Sequence, residues 1–202
     1  SCAGGGVGFN FSKIRPKGDD IQNIQWSAPG SISVMKMINE IGEHVRAGKN
    51  RRTALMSILE VSHPDFLEFL SVKLDRKELT NFNISVAINN RFISAVENDE
   101  DWHFTFAGRH NKYFCYNVER TNEKGEVDNV MVVAKDEDDA VGRADQNHKV
   151  GWTDTFANAV LSPLKAKDIW ERLLNNAVES GEPGIFNVDL ANEFTNVSYF
   201  EE

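Results

Sequence analysis

Between two short apolar runs, VGFNFSKI (residues 7–14) and TALMSILEV (53–61), lies the stretch that most restricts the fold. From Ser31 onward, Ile32, Met35, Ile38, Ile41 and Val45 recur every three or four residues, while Asn39, Glu43 and Arg46 fall elsewhere around the turn. That period predicts an amphipathic helix over 31–47, opened by Ser31 as N-cap and ending near Gly48. The flanking runs read as strands, and a helix set between strands indicates an α/β fold. The alternation continues. HPDFLEFLSVKL (63–74) reads as a helix with Pro64 in its first turn, NISVAI (83–88) as a strand and NRFISAVEN (90–98) as a helix. A further helix is predicted over 164–179, with Ile169, Leu173, Leu174 and Val178 on its apolar face, followed by a turn–strand–loop passage in GEPGIFNVDLANEF (181–194). The middle differs: WHFTF, YFCYNVE and VMVVA are separated by polar turns, which predicts a β-hairpin region over 101–135. Residues 15–30 and 135–150 read as loop, the second because it is acidic and polar.

A chain of 202 residues can bury a proper core as one domain or two small ones. Its formal charge of −9 repels nucleic acid unless a local basic patch intervenes, so no nucleic-acid partner is expected. No apolar run approaches the roughly 18 residues of a membrane span, and no secretory leader is visible, so a cytoplasmic location without membrane contact is expected. Cys2 and Cys115 lack CxxC spacing, which argues against a disulfide scaffold or zinc site and fits a reducing compartment. Cys115, between Phe114 and Tyr116, reads as a buried apolar thiol. The five histidines show neither an i,i+4 pair nor HExxH spacing, so no metal site is expected. The acid run Asp136–Asp139 reads as solvated loop.

Three constellations could carry chemistry. Gly4, Gly5, Gly6 and Gly8 run into the first strand; without Cβ atoms they let a ligand approach the main chain, or they form a tight turn. Because GGGVGF precedes its strand instead of opening a helix, it is not the dinucleotide fingerprint. Arg15-Pro16-Lys17-Gly18 is a basic turn suited to phosphate, since guanidinium offers paired donors; the alternative is a solvated turn paired to Asp19 and Asp20. RAGKNRR (46–52) sets four cations within seven residues, with no aromatics interleaved as nucleic-acid binding would favour; a basic helix end complementing the dipole is the other reading.

Four stretches in order, GGGVGFNFSKIRPKG (4–18), AGKNRRTALMSILEVSHPDFLEF (47–69), LTNFNISVAINNRF (79–92) and GEPGIFNVDLAN (181–192), resemble the large, catalytic subunit of ribonucleotide reductase. The wording is closest to its adenosylcobalamin-dependent branch, and the likeness is weakest over about 108–150. The resemblance implies that residues 1–202 are a single partial domain of a ten-stranded α/β barrel, with the 101–135 hairpin region inserted. It implies reduction of ribonucleotides to deoxyribonucleotides by thiyl-radical chemistry. The radical cysteine belongs to a motif beyond Glu202, and the first cysteine of the redox pair to a strand before Gly4. The chain therefore reads as an internal fragment, without catalytic residues of its own and inactive until joined by the remaining reductase segments. By the same resemblance Gly5, Gly6, Arg51 and Arg52 contact substrate. Arg15, Lys17 and Ile21 contact a deoxynucleoside triphosphate or ATP effector, and helix 31–47 forms a homodimer interface. Asn81 and Asn83 lie on a strand near the active site, and Thr53 stands where the family usually has glycine. Adenosylcobalamin is the cofactor implied for the parent enzyme, with no binding expected from this fragment. Two other readings stay open: a catalytically silent nucleotide-sensing module, and a structural domain whose glycines are only turns.

Overall fold

The computed structural model describes residues 5–19, 21, 27–44, 53–74, 78–106, 109–121, 127–146, 155–161 and 164–195. Four short strands, β1 (Val7–Asn10), β2 (Leu55–Glu60), β3 (Phe82–Ile88) and β10 (Gly184–Asn187), pair in the order β1-β2-β3-β10. All three pairings are parallel. Parallel neighbours need crossover connections, and helices supply them. The chain passes through α1 (Gly30–His44) between β1 and β2, and through α2 (Phe66–Ser71) with a 3₁₀ turn (Val72–Leu74) between β2 and β3. After β3 come α3 (Asn90–Glu97), β4 (Asp101–Trp102), β5 (Phe104–Phe106), β6 (Arg109–Thr121), β7 (Val127–Ala134), α4 (Glu137–Gln146), β8 (Thr155–Leu161), β9 (Leu164–Lys165) and α5 (Ala166–Ser180). The short helix α6 (Val188–Glu193) follows β10.

The main core fills the space between the parallel sheet and its helices. Met35, Leu59, Phe66, Phe69, Phe82 and Phe92 are each at most 1% exposed, and burying a side chain of this size contributes about 1.5–3 kcal/mol. Phe9, Phe11 and Phe82 stack around one another with centroids 5.9–6.2 Å apart. Trp102 lies edge-on to Phe92 at 4.9 Å and donates its indole N–H to the Val61 carbonyl. The other sheet face is different: Gly8, Met56 and Asn83 stand side by side in register and are all exposed.

Several sequence expectations shift. β1 stops at Asn10, whose side chain accepts the Ser12 N–H and turns the chain. α1 buries Ile32, Met35, Asn39 and Gly42, leaving Ile41 55% exposed. Asn39 is tolerated inside because its side-chain oxygen accepts the Asn81 backbone N–H at 3.1 Å. Ser31 does not cap the helix: its hydroxyl is buried without a hydrogen-bond partner, and the cap comes from elsewhere in the chain. In α5 the buried residues are Ala166, Ile169 and Leu173, while Leu174 and Val178 face outward. Residues 188–193 are helical rather than loop, because Asn187 accepts the Leu190 N–H.

The largest correction is in the acidic stretch. The segment from 137 to 146 is the helix α4, not a solvated loop. Asp136 accepts the Asp139 N–H at 2.8 Å, and Glu137, Asp138 and Asp139 place negative charge in the first turn, where the helix dipole favours it. Ala140 and Ala144 then bury against Tyr116, Val118, Val132 and Ala134 in a second, smaller core. That core belongs to an antiparallel sheet in which β6 pairs with β5, β7 and β8. β8 is not among the strands the sequence predicts.

Candidate functional site

The glycines before and within β1 lie on the surface. A Cβ added at Gly5 or Gly8 would meet no atom within 4 Å, and at Gly6 the nearest atom would be the Ala54 carbonyl oxygen at 3.5 Å. Positive φ angles do not occur at these three positions, so backbone strain does not demand glycine there. Missing side chains leave instead an open strip beside the exposed Met56 and Asn83. The Val7 N–H donates to the Ala54 carbonyl, which fastens the strip to the entry of β2. Arg51 and Arg52, the other residues expected to meet substrate, lie outside the described residues, as do Cys2 and Gly4. Their neighbour Thr53 is buried and donates its hydroxyl to the Gly42 carbonyl at 2.9 Å, near the end of α1. Asn81 closes the same corner by donating its side-chain amide to Glu43 at 2.7 Å, so it ties β3 to α1; Asn83 is exposed on the open face.

The basic turn is built into an ionic cluster. Arg15 pairs with Asp19 at 3.2 Å and Lys17 with Glu68 at 3.4 Å. Asp19 is wholly buried, and Lys135 approaches its other oxygen at 3.7 Å. Arg143, almost fully buried, pairs with Asp139 at 3.0 Å and donates to the Lys17 carbonyl. Gly18 has φ +72°, and a Cβ there would stand 2.9 Å from Asp139, so a larger residue would push that side chain aside. Ile21 is half-buried beside this turn in sequence. A cleft of about 270 Å³ opens between Lys17, Gly18, Ser27, Pro29, Gly142 and Arg143.

Beneath the cluster sits Asp65. Its two carboxylate oxygens accept the Lys17 N–H at 3.0 Å and the Ser31 N–H at 2.7 Å. Asp65 occupies the N-cap position of α2 but makes no side-chain cap there; it caps α1 instead. His63 is locked alongside: Nδ1 accepts the Asp65 N–H at 3.0 Å, so Nε2 carries the proton and donates to the Ile14 carbonyl at 2.9 Å. Burial holds its pKa below the usual histidine value, against the opposing pull of Asp65, the Ile14 carbonyl and Glu60. Burial also raises the Glu68 pKa, partly offset by Lys17. The Cys115 thiol is pushed up to about 11 by burial, which makes it a poor nucleophile.

The two sites stand at opposite ends of β1, the glycine strip before the strand and the basic turn after it, so they do not share one cleft. Helix α1 spans the distance: its capped start lies beside Lys17, its Gly42 end beside Thr53, roughly 17 Å apart along the axis. Sequence reasoning missed Asp65, His63, Lys135 and Arg143. The HPD sequence signalled a helix start, yet not that its carboxylate serves a different helix. Among the described residues there is no group of three or more His, Cys, Asp or Glu able to hold a metal ion, and no helix long and apolar enough to cross a membrane.

Helices packed on a parallel sheet make this an α/β domain, with the candidate residues gathered near its two ends. The family model described as the ribonucleotide reductase barrel domain matches residues 1–201, and the chain belongs to that family. It is 27% identical to a vitamin B12-dependent ribonucleoside-diphosphate reductase of Thermoplasma acidophilum, over 94% of this chain and 19% of that protein. It is 40% identical to a reductase of the same description from Mycobacterium tuberculosis, over 47% of this chain and 14% of that one. The large subunit of a Caenorhabditis elegans ribonucleoside-diphosphate reductase is 27% identical over 97% of this chain and 22% of its own length. The chain thus spans about a fifth of the length of the Thermoplasma and Caenorhabditis proteins.

Proposed function

We propose that this chain is the part of a ribonucleoside reductase that presents substrate to the radical chemistry and carries the loops through which an effector nucleotide sets substrate choice. The observation that carries this reading is the exposed strip at Gly5, Gly6 and Gly8, where added side chains would enter open space rather than protein. Ribose and base would lie against bare main chain there. Arg51 and Arg52 would reach the same substrate from the segment just ahead of Thr53. Arg15, Lys17 and Ile21 would meet a deoxynucleoside triphosphate or ATP. Helix α1 offers a mechanical route between the two, because it is anchored at both ends by buried hydrogen bonds. An effector that moves one end biases the other, which is the differential contact allostery needs.

The outer strands β1 and β10 each pair with one neighbour among the described strands. The remaining reductase segments would add there to complete the ten-stranded barrel and bring the reactive cysteines. Met37 and Ile41, four residues apart on α1, are 59% and 55% exposed and give a second copy of the chain an apolar strip to pack on. Adenosylcobalamin is the cofactor this reading implies for the whole reductase. Other segments of the reductase would hold it.

Gly5→Val and Gly6→Val, placed in the chain joined by its remaining segments, test the reading. Ribonucleotide reduction should fall on the order of 10²-fold while unfolding is little changed. Full activity in both variants refutes a substrate-facing strip. The chain alone, supplied with adenosylcobalamin and reductant, should reduce nothing. A second reading, a structural domain whose charged turn is paired only within itself, is favoured at the basic turn by the ion pairs of Arg15 with Asp19 and Lys17 with Glu68. Binding of dATP that survives Arg15→Ala would select it.

A further inference from the structure

The turn Lys17–Asp19 has every backbone polar group engaged within the chain. The Lys17 N–H donates to Asp65, the Gly18 N–H to the Ala28 carbonyl at 2.9 Å and the Asp19 N–H to the Pro16 carbonyl at 3.1 Å. The Asp19 carbonyl accepts the Ala28 N–H at 2.8 Å. The two remaining carbonyls take charged donors from a distant part of the sequence: Arg143 of α4 reaches Lys17, and Lys135, just past β7, reaches Gly18 at 2.6 Å. Both donors are held by the same carboxylate. Asp139 accepts the Lys135 backbone N–H and pairs with Arg143. A peptide carbonyl meeting an ammonium or guanidinium makes a stronger bond than one meeting another peptide. The backbone at Gly18 is left-handed, φ +72°, and a Cβ there would stand 2.9 Å from Asp139 and 3.1 Å from Arg143, so a larger residue would push both side chains aside.

We propose that Lys135 and Arg143 are positioning residues. They make the β7–α4 unit a clamp that fixes the Lys17–Asp19 turn and thereby sets its affinity for an anionic nucleotide. The clamp rests on the reading of this turn as part of a nucleotide site. It follows from the geometry that the small core formed by Tyr116, Val118, Val132, Ala134, Ala140 and Ala144 has a task beyond its own stability. It holds α4 at the distance where Arg143 meets the Lys17 carbonyl.

The test uses the 202-residue chain with Lys135→Ala, Arg143→Ala and the conservative Arg143→Lys. Amide hydrogen exchange is followed at Gly18, Asp19 and Ala28, with β3 amides as the folding control, and dATP affinity is measured by calorimetry. Both alanine variants should speed exchange at the turn about tenfold or more with β3 unchanged and should weaken dATP binding, and Arg143→Lys should restore part of each. Unchanged exchange at the turn overturns the clamp, and so does faster exchange with undiminished dATP binding. If Arg143→Ala fails to fold, Lys135→Ala decides. Arg15→Ala runs in parallel: if it leaves dATP binding intact, the nucleotide reading of the turn falls and the clamp's effect on affinity falls with it, while the exchange data still decide whether Lys135 and Arg143 hold the turn.

Discussion

Removing the Asp65 carboxylate should unfasten two parts of the fold at once. In Asp65→Ala the Lys17 and Ser31 amides, 3.0 and 2.7 Å from its oxygens, lose their acceptor. Asp65 is 2% exposed, so water does not readily replace it. A hydrogen bond to a charged group contributes about 1.5–3 kcal/mol, and two of them give roughly 3–6 kcal/mol. Relief of the carboxylate's own desolvation reduces that to about 3–5 kcal/mol. Asp65→Asn keeps one acceptor oxygen and should lose about half as much. Against the 5–15 kcal/mol typical of folded proteins the alanine loss is severe. Urea unfolding reads it directly: with a slope of about 2–3 kcal/mol per molar, the midpoint should drop by roughly 1–2.5 M in Asp65→Ala and by roughly 0.5–1.3 M in Asp65→Asn. Exchange of the Lys17 and Ser31 amides should rise in both. A midpoint shift below about 0.3 M in Asp65→Ala would mean that the carboxylate is not the cap of α1, and the account of this hub would be wrong.

Gly30 has φ +83°, and a Cβ there would stand 2.7 Å from the Lys17 Cβ, so Gly30→Ala should destabilise by about 2–4 kcal/mol. By contrast Gly142→Ala, mid-helix in α4 with open space around it, should stabilise by about 0.5–1 kcal/mol; paired thermal melts check both. His63 has a folded pKa below its unfolded value near 6.5, so the unfolded chain takes up its proton first as pH falls. Stability should therefore be full above about pH 6.5 and decline below it, by at most about 1.4 kcal/mol per pH unit, until the lowered folded pKa is passed. His63→Gln should flatten that component in a pH series of urea melts. At pH 8 Cys115, with a thiol pKa near 11, should alkylate on the order of 10² times more slowly in the native chain than in the unfolded one, as followed on its own peptide by mass spectrometry.

Periodicity alone placed β2, β3, α1, α3 and α5 to within a few residues, and their alternation indicated the α/β class, because side-chain spacing along a strand or helix is a local property. Motif order added the family. What the spacing left undecided was which flank of a helix meets the core: Asn39 and Gly42 went in and Ile41 stayed out, since burial depends on the neighbour across the interface. The acidic stretch 137–146 looked like loop because its two buried alanines carry little apolar signal; only the small core behind them makes it a helix. The candidate site divided in the same way. The glycines and cations could be read directly, whereas their partners came from far along the chain: Asp65 lies 34 residues from Ser31, and Arg143 lies 126 from Lys17. Sequence thus fixed the local hydrogen-bonding and burial tendencies of each segment. Tertiary structure alone chose the partners, because a buried amide or carboxylate must find its counterpart in space, and nothing in the order of residues says which distant segment will bring it.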